Sequence, residues 1–440
     1  RATGPGMSVI PTRLDLDRLT AEERRRFTVR QAIPDPVVMA SATSIVREVA
    51  ADGDRALIRL GARFGGGLAG GSVAVPRHLV DGAGERVDTE ILDAIRSAIA
   101  NVEAVHRPQR PVGSVVTPVD GVAVERVWTP LSSVGVYVPG GRALYPSSLI
   151  MGVVPARIAG VGTIAVATPA NEDGQIDPIV LATASLLGVT EVYAMGGAHA
   201  VAALAYGTET VERVDKIVGP GGPYVTAAKL AVYGICGVDL PAGPSEAAII
   251  ADSHADPAIV AADVMCQAEH GAESSVALIV TDASLADVVL TEIERVLPTL
   301  TRSEVIRSAL SKHGIVVAAD STRQAAEFAN EWAPEHLSIH TEHARDVAEL
   351  IPAAGSVFVG HWTPEAAGDY ATGANHVLPT GGLARAYGPL SVDDFGSWRQ
   401  IQELDRAGLE RLAPTITSIA RAEGFTAHAY SVTARLDGVS

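Results

Sequence analysis

The stretch MCQAEHGAES, residues 265–274, carries an amide at Gln267 and an imidazole at His270, with Glu269 between them. Asp256 and Pro257 form an N-cap and first-turn pair and Gly271 a stop, so the stretch reads as a helix in which Gln267 and His270 project side by side. That pairing is either a polar helix end near a turn or half of a metal site. Further along, APEHL sets Glu335 beside His336, GDYATGANHVLPT carries Asp369 and His376, and RAEGFTAHAY carries Glu423 and His428. Any one of these histidines alone reads first as a buried group satisfying local backbone. Together, Gln267, His270, Asp369 and His428 offer two imidazoles, a carboxylate and an amide oxygen, a mixed set suited to zinc or a similar divalent ion. With no thiolate among them, a metal with open positions is expected rather than a closed structural site.

Holding residues so far apart in sequence requires a scaffold. Short β-rich runs precede helical patterns at 134–139, 163–169, 191–197, 216–222 and 246–252, a rhythm that means a parallel, doubly wound sheet. A second series at 275–282, 314–320, 337–341 and 355–360 implies a second α/β unit. Residues 1–31 read as a charged helical arm, and residues from about 390 onward as helices without strands whose apolar stripe needs a surface such as a partner subunit. In open parallel sheets ligands bind beyond the carboxyl ends of strands. Glycines recur there, in PGG (139–141), GGAH (196–199), GPGG (219–222) and AGPSE (242–246). GGGLAG, Gly65 to Gly70, matches the dinucleotide fingerprint in letters only: it comes after a helical stretch and leads toward a strand, the reverse of the required order, and reads as a flexible turn.

A chain of 440 residues implies two or more domains. Its net charge of −17 disfavours nucleic acid and anionic membrane surfaces as partners. The longest apolar stretch, Leu149 to Ala170, is broken by Pro155 and Arg157 and reads as buried helix and strand, not a span. Two cysteines, Cys236 and Cys266, in no Cys-x-x-Cys spacing fit a reducing cytoplasm.

The motifs GVYVPGG, VDKIVGPGG, DLPAGPSE, QAEHG, APEHL, GDYATGANHVLPTGGLAR and AEGFTAHA occur in the order and approximate spacing of the histidinol dehydrogenase family, which the chain resembles over roughly residues 30 to 435. The resemblance implies oxidation of L-histidinol to L-histidine through the aldehyde, with two NAD molecules and one zinc ion per subunit, in the last steps of histidine biosynthesis. It implies Gln267, His270, Asp369 and His428 as zinc ligands, with Ser245, His376 and Glu423 as further substrate contacts and Glu335 with His336 as the proton-transfer pair. It further implies a homodimer in which Glu423 and His428 complete the neighbouring subunit's site. The expected architecture is two Rossmann-like parallel-sheet domains with helical N- and C-terminal arms. Residues 1–31 and 390–440 are the arms, 116–246 the NAD-binding domain, and 32–115 with 247–389 the domain carrying zinc and proton-transfer residues.

Tyr137 matches a cofactor contact, and two other cofactor positions depart from the family's pattern. His199 stands where the family has Gln in GGAQ, and Gly222 where it has Asn in GPGN. Histidine can donate and accept in place of the amide, and water can fill the gap at Gly222. Relatives that oxidise other polar alcohols, a zinc hydrolase with Glu335 as base, and a non-catalytic binder remain as rival readings.

Overall fold

The computed structural model describes residue 9 and residues 11–140 and 143–437, so Gly141 of the PGG motif and both chain ends lie outside the described residues. The first series of runs forms a five-stranded parallel sheet from β4 (Ser133–Tyr137), β5 (Thr163–Thr168), β6 (Glu191–Ala194), β7 (Lys216–Val218) and β8 (Gly237–Val238), in the order β6-β5-β4-β7-β8. The second series forms β9 (Glu246–Ala251), β10 (Ser275–Val280), β11 (Gly314–Ala318), β12 (His336–His340) and β13 (Ser356–Val359), in the order β11-β10-β9-β12-β13. Both sheets therefore have the same wiring: three strands laid outward, then a return past the first strand to add two on its other side. The expected α/β class, with two Rossmann-like parallel sheets, is the fold of this chain.

Period-two alternation sends each strand's side chains into two cores. In β4, Val134 and Val136 enter one core and Tyr137 the other, beneath the alanine-rich helices Gly197–Tyr206 and Pro223–Val232. In β9, Ile249 and Ala251 face the helix Pro257–Glu269, while Ala248 and Ile250 face the helix Thr322–Trp332. Strands covered on both faces become unbroken apolar runs, which is why the six residues of β9 are all buried.

Three expectations need correction. The N-terminal segment adds a strand as well as helix: β1 (Thr12–Asp15) pairs parallel with β11 at the sheet edge. The C-terminal segment is not strand-free. β14 (Gly396–Leu404) pairs antiparallel along its length with β3 (Val122–Pro130), which also pairs with β2 (Ser114–Val119), making a third sheet. Its residues GSWRQIQEL are mostly exposed, so no alternating apolar signal marks the strand. Finally, the helices of residues 36–106, expected with the second sheet, pack on the first. Pro36–Asp52 crosses Gly197–Tyr206 and Pro223–Val232, and Thr89–His106 lies on Pro146–Ala159. An apolar stripe announces that a helix is covered but not by which surface.

GGGLAG is the expected turn, with Gly65, Gly66 and Gly70 at positive φ, and the residues after it make only an isolated bridge, Ala74 to Tyr193. Among the described residues no helix is long and apolar enough to cross a membrane.

Candidate functional site

Two clusters lie on the two sheets joined by a seven-residue link, 239–245, that runs from the carboxyl end of β8 to the amino end of β9. On the first side, the return from β6 to β7 makes a switch point between β4 and β7, where open parallel sheets take ligands. The Tyr137 hydroxyl there accepts a hydrogen bond from the Gly197 N–H at 3.0 Å, and burial raises its pKa. Gly219, with φ +117°, lies so close to β4 that a Cβ on it would sit 2.1 Å from the Tyr137 carbonyl oxygen. A buried Lys229–Asp239 pair holds this turn: Gly219 N–H donates to Asp239 at 2.6 Å, and Lys229 donates to the Gly219 carbonyl. His199 is buried in the first turn of its helix, and burial lowers its pKa to about 4, so it is a neutral imidazole. Gly222 caps the helix Pro223–Val232 at an ordinary φ of −69°, with open space where a side chain would point.

The second cluster reverses the expectation drawn from strand ends, because Glu335 and His336 open β12 instead of closing it. Along β12, Leu337 and Ile339 enter an apolar core, whereas His336, Ser338 and His340 share the opposite face. The helix Pro257–Glu269 lies over that face, capped as expected by Asp256 accepting from Ala258 N–H. Its Asp263 and Gln267, one turn apart, meet His340 at 2.8 Å and His336 Nδ1 at 3.2 Å. With Gln267 Oε1 accepting from Nδ1–H, the free lone pair of His336 is on Nε2, which has no protein partner.

Glu335 Oε2 accepts from the Ser245 hydroxyl at 2.7 Å and the Glu246 N–H at 2.9 Å. Glu246 is in turn paired twice with Arg30, at 3.0 and 2.6 Å, and the Arg30 guanidinium lies 3.6 Å from the centre of the Trp332 ring. The N-terminal arm thus neutralises the carboxylate next to Glu335. Burial raises Glu335 to about 8, against the hydrogen bonds from Ser245 and Glu246. Burial lowers His336 to about 3, helped by His270 and His376, so its ring is neutral across the physiological range.

His270, just past the helix end, stacks on His336 with ring centres 6.4 Å apart. Its Nε2 lies 3.6 Å from Asp369 and 3.3 Å from Glu365, two carboxylates one turn apart on the helix Glu365–Tyr370. Burial alone would lower His270, but the hydrogen bond and charge of Glu365, with Asp369 and Glu335, lift it to about 9. His376 Nδ1 donates to the Asp369 carbonyl at 3.0 Å. His270, Glu365 and Asp369 bring their donor atoms within 4.8 Å of one another, and Glu365 Oε2 is buried without a partner. Imidazole and carboxylate donors converging with unspent capacity fit a divalent ion such as zinc.

The structure therefore gathers Ser245, Glu335, His336, Gln267, His270, Asp369 and His376. It does not bring Glu423 or His428 to them within the chain. Both lie exposed in the C-terminal arm, where the His428 ring contacts Phe425. Glu365 is a member of the cluster that the sequence motifs did not single out. Its signal was the spacing in TPEAAGDY, where a proline-led helix start puts Glu365 and Asp369 on one face.

The sequence matches the histidinol dehydrogenase family profile over residues 29–436. It is 46% identical over 395 residues to a histidinol dehydrogenase from Geobacter sulfurreducens, covering 89% of this chain and 92% of that protein. It is 45% identical over 420 residues to one from Haloarcula marismortui, covering 95% and 98%. The fold superposes on the crystal structure of histidinol dehydrogenase from Elizabethkingia anophelis with a TM-score of 0.91 at 35% identity, covering 97% of this chain and 98% of that one. The matched span takes in every strand from β2 to β14 and both clusters, and the chain belongs to the histidinol dehydrogenase family.

Proposed function

We propose that the protein oxidises L-histidinol to L-histidine by way of L-histidinaldehyde, with zinc bound and two NAD molecules as hydride acceptors, completing histidine biosynthesis. In this reading it works in the cytoplasm as a homodimer whose Glu423 and His428 complete the partner subunit's site. The observation that carries it is the unbroken chain of contacts from Ser245 through Glu335, His336, Gln267 and His270 to Asp369, in a member of this family.

In the first step the free Nε2 of His336 takes the hydroxyl proton while hydride leaves the carbinol carbon for the nicotinamide, giving the aldehyde. Glu335, as carboxylate, takes a proton from the water that adds to the aldehyde. The resulting hydrate is again an alcohol, so His336 and a second NAD repeat the hydride transfer and give the carboxylic acid. Gln267, His270 and Asp369 would hold zinc, which when bound would supply orientation of the substrate. Tyr137, His199 and Gly222 line the side from which NAD approaches.

The test is NADH production by the zinc-loaded protein with L-histidinol, run beside a panel of other polar alcohols. Two NADH per histidinol consumed, with histidine as product, is expected. Turnover of another alcohol with none of histidinol would overturn the substrate.

A further inference from the structure

We propose that Thr226 and Thr380 are positioning residues that clamp the link between the two α/β units and so fix the register of the glycine turn at Gly219–Gly222 against Glu335; the proposal rests on the NAD and histidinol reading above. The link, Asp239 to Ser245, has the sequence DLPAGPS, with prolines at 241 and 244. Each proline fixes its own φ and biases the residue before it toward extended backbone, so little of the link is left to bend. Between the prolines, Ala242 and Gly243 are held by different units. The Thr226 hydroxyl donates to the Ala242 carbonyl at 2.7 Å, and the Gly243 N–H donates to the Thr380 hydroxyl at 2.5 Å. Both threonines are buried. Thr226 belongs to the first unit: it lies in the first turn of the helix Pro223–Val232 and its N–H donates to the Gly222 carbonyl at 3.1 Å, so one residue touches both the glycine turn and the link. Thr380 belongs to the second: it ends the segment carrying His376, and the next residue, Gly381, donates its N–H to Glu246, whose own N–H donates to Glu335. In Thr43, Thr183, Thr291 and Thr417 the helical hydroxyl turns back onto the carbonyl four residues earlier, the local bond a helix offers. Thr226 forgoes that bond for a carbonyl sixteen residues away. The ends of the link are tied as well, Asp239 to the Gly219 N–H and Ser245 to Glu335. Hydride transfer needs its reacting atoms about 3.5 Å apart, and a slip of about 1 Å between the units costs roughly 100-fold in rate.

The experiment uses the full-length, zinc-loaded protein with Thr226→Val, Thr380→Val, Thr226→Ser and Thr380→Ser. Valine keeps the shape of threonine and loses the hydroxyl, whereas serine keeps the hydroxyl. The readouts are the Kd of NAD and of histidinol, the rate of NADH formation in a single turnover with both saturating, and amide hydrogen exchange across residues 239–245 in the ligand-free protein. Each Val variant is expected to form NADH roughly 10- to 100-fold more slowly with both Kd values within about twofold of the wild type. Its link amides should exchange roughly 3- to 10-fold faster. Each Ser variant should stay near the wild type in all of these. A folded Val variant with the wild-type single-turnover rate overturns the proposal, as does a Ser variant that fares no better than its Val counterpart. Should a Val variant not fold, Thr226→Ala or Thr380→Ala decides by the same readouts. A wild type that forms no NADH from histidinol brings down the reaction reading instead; link exchange in the Val variants, quickened or unchanged, then upholds or removes the clamp on its own.

Discussion

At the residue scale, two adjacent side chains are pushed in opposite directions by the same burial. His336, at about 3, stays neutral at working pH, while Glu335, at about 8, must lose a proton before it can act as a base. The rate is therefore expected to rise with pH up to about 8 and then level, and a pH profile of kcat/KM checks it. Stability runs the other way. A carboxyl with a raised folded pKa holds its proton more tightly when folded, so its contribution is complete below pH 4.5 and is lost as pH rises through about 8. Glu335→Gln should consequently melt a few degrees above the wild type at pH 8 and level with it at pH 4.5. His336→Gln removes the proposed base and no proposed ligand. It should cut NAD reduction by roughly 100- to 10,000-fold with zinc content near that of the wild type, and parallel loss of metal would refute that separation of roles.

At the element scale, Gly219 and Gly222 of the loop after β7 are held to different standards by the backbone. Gly219 combines φ +117° with a 2.1 Å approach to the Tyr137 carbonyl, so Gly219→Ala must push β4 and β7 apart and should lower both melting temperature and NAD affinity. Gly222 has an ordinary φ and empty space beside it, so Gly222→Asn should fold with stability within about 0.5 kcal/mol of the wild type and tighten NAD by adding a donor. Thermal melts and NAD titration of the pair separate backbone necessity from a missing side chain. The link 239–245 is short and joins a carboxyl edge to an amino edge, and its last residue, Ser245, reaches Glu335 at the start of β12.

At the scale of the whole molecule, the C-terminal arm leaves Ile419, Phe425 and Tyr430 exposed, on the segment that carries Glu423 and His428. In the proposed homodimer a second subunit would cover them. If the sites are shared, mixing Glu335→Ala with His428→Ala and allowing subunit exchange should restore up to about a quarter of wild-type activity, since half the dimers are mixed and each has one intact site. No recovery after verified exchange would place each site within a single chain.

The sequence by itself determined the parallel α/β class, the helix carrying Gln267 and His270, the turn at GGGLAG, and the family motifs, because periodicity, caps and glycines are local signals. Tertiary structure alone decided where those elements went. It put the helices of residues 36–106 under the first sheet and joined β14 to β3, partnerships set by surfaces that no local pattern names. It also placed the polar cluster at the amino end of β12, since a run of buried residues does not say which of its ends will face a ligand. And it made Glu365 part of that cluster: a carboxylate is ordinary on a surface helix, and only its complete burial beside His270 turns it into chemistry.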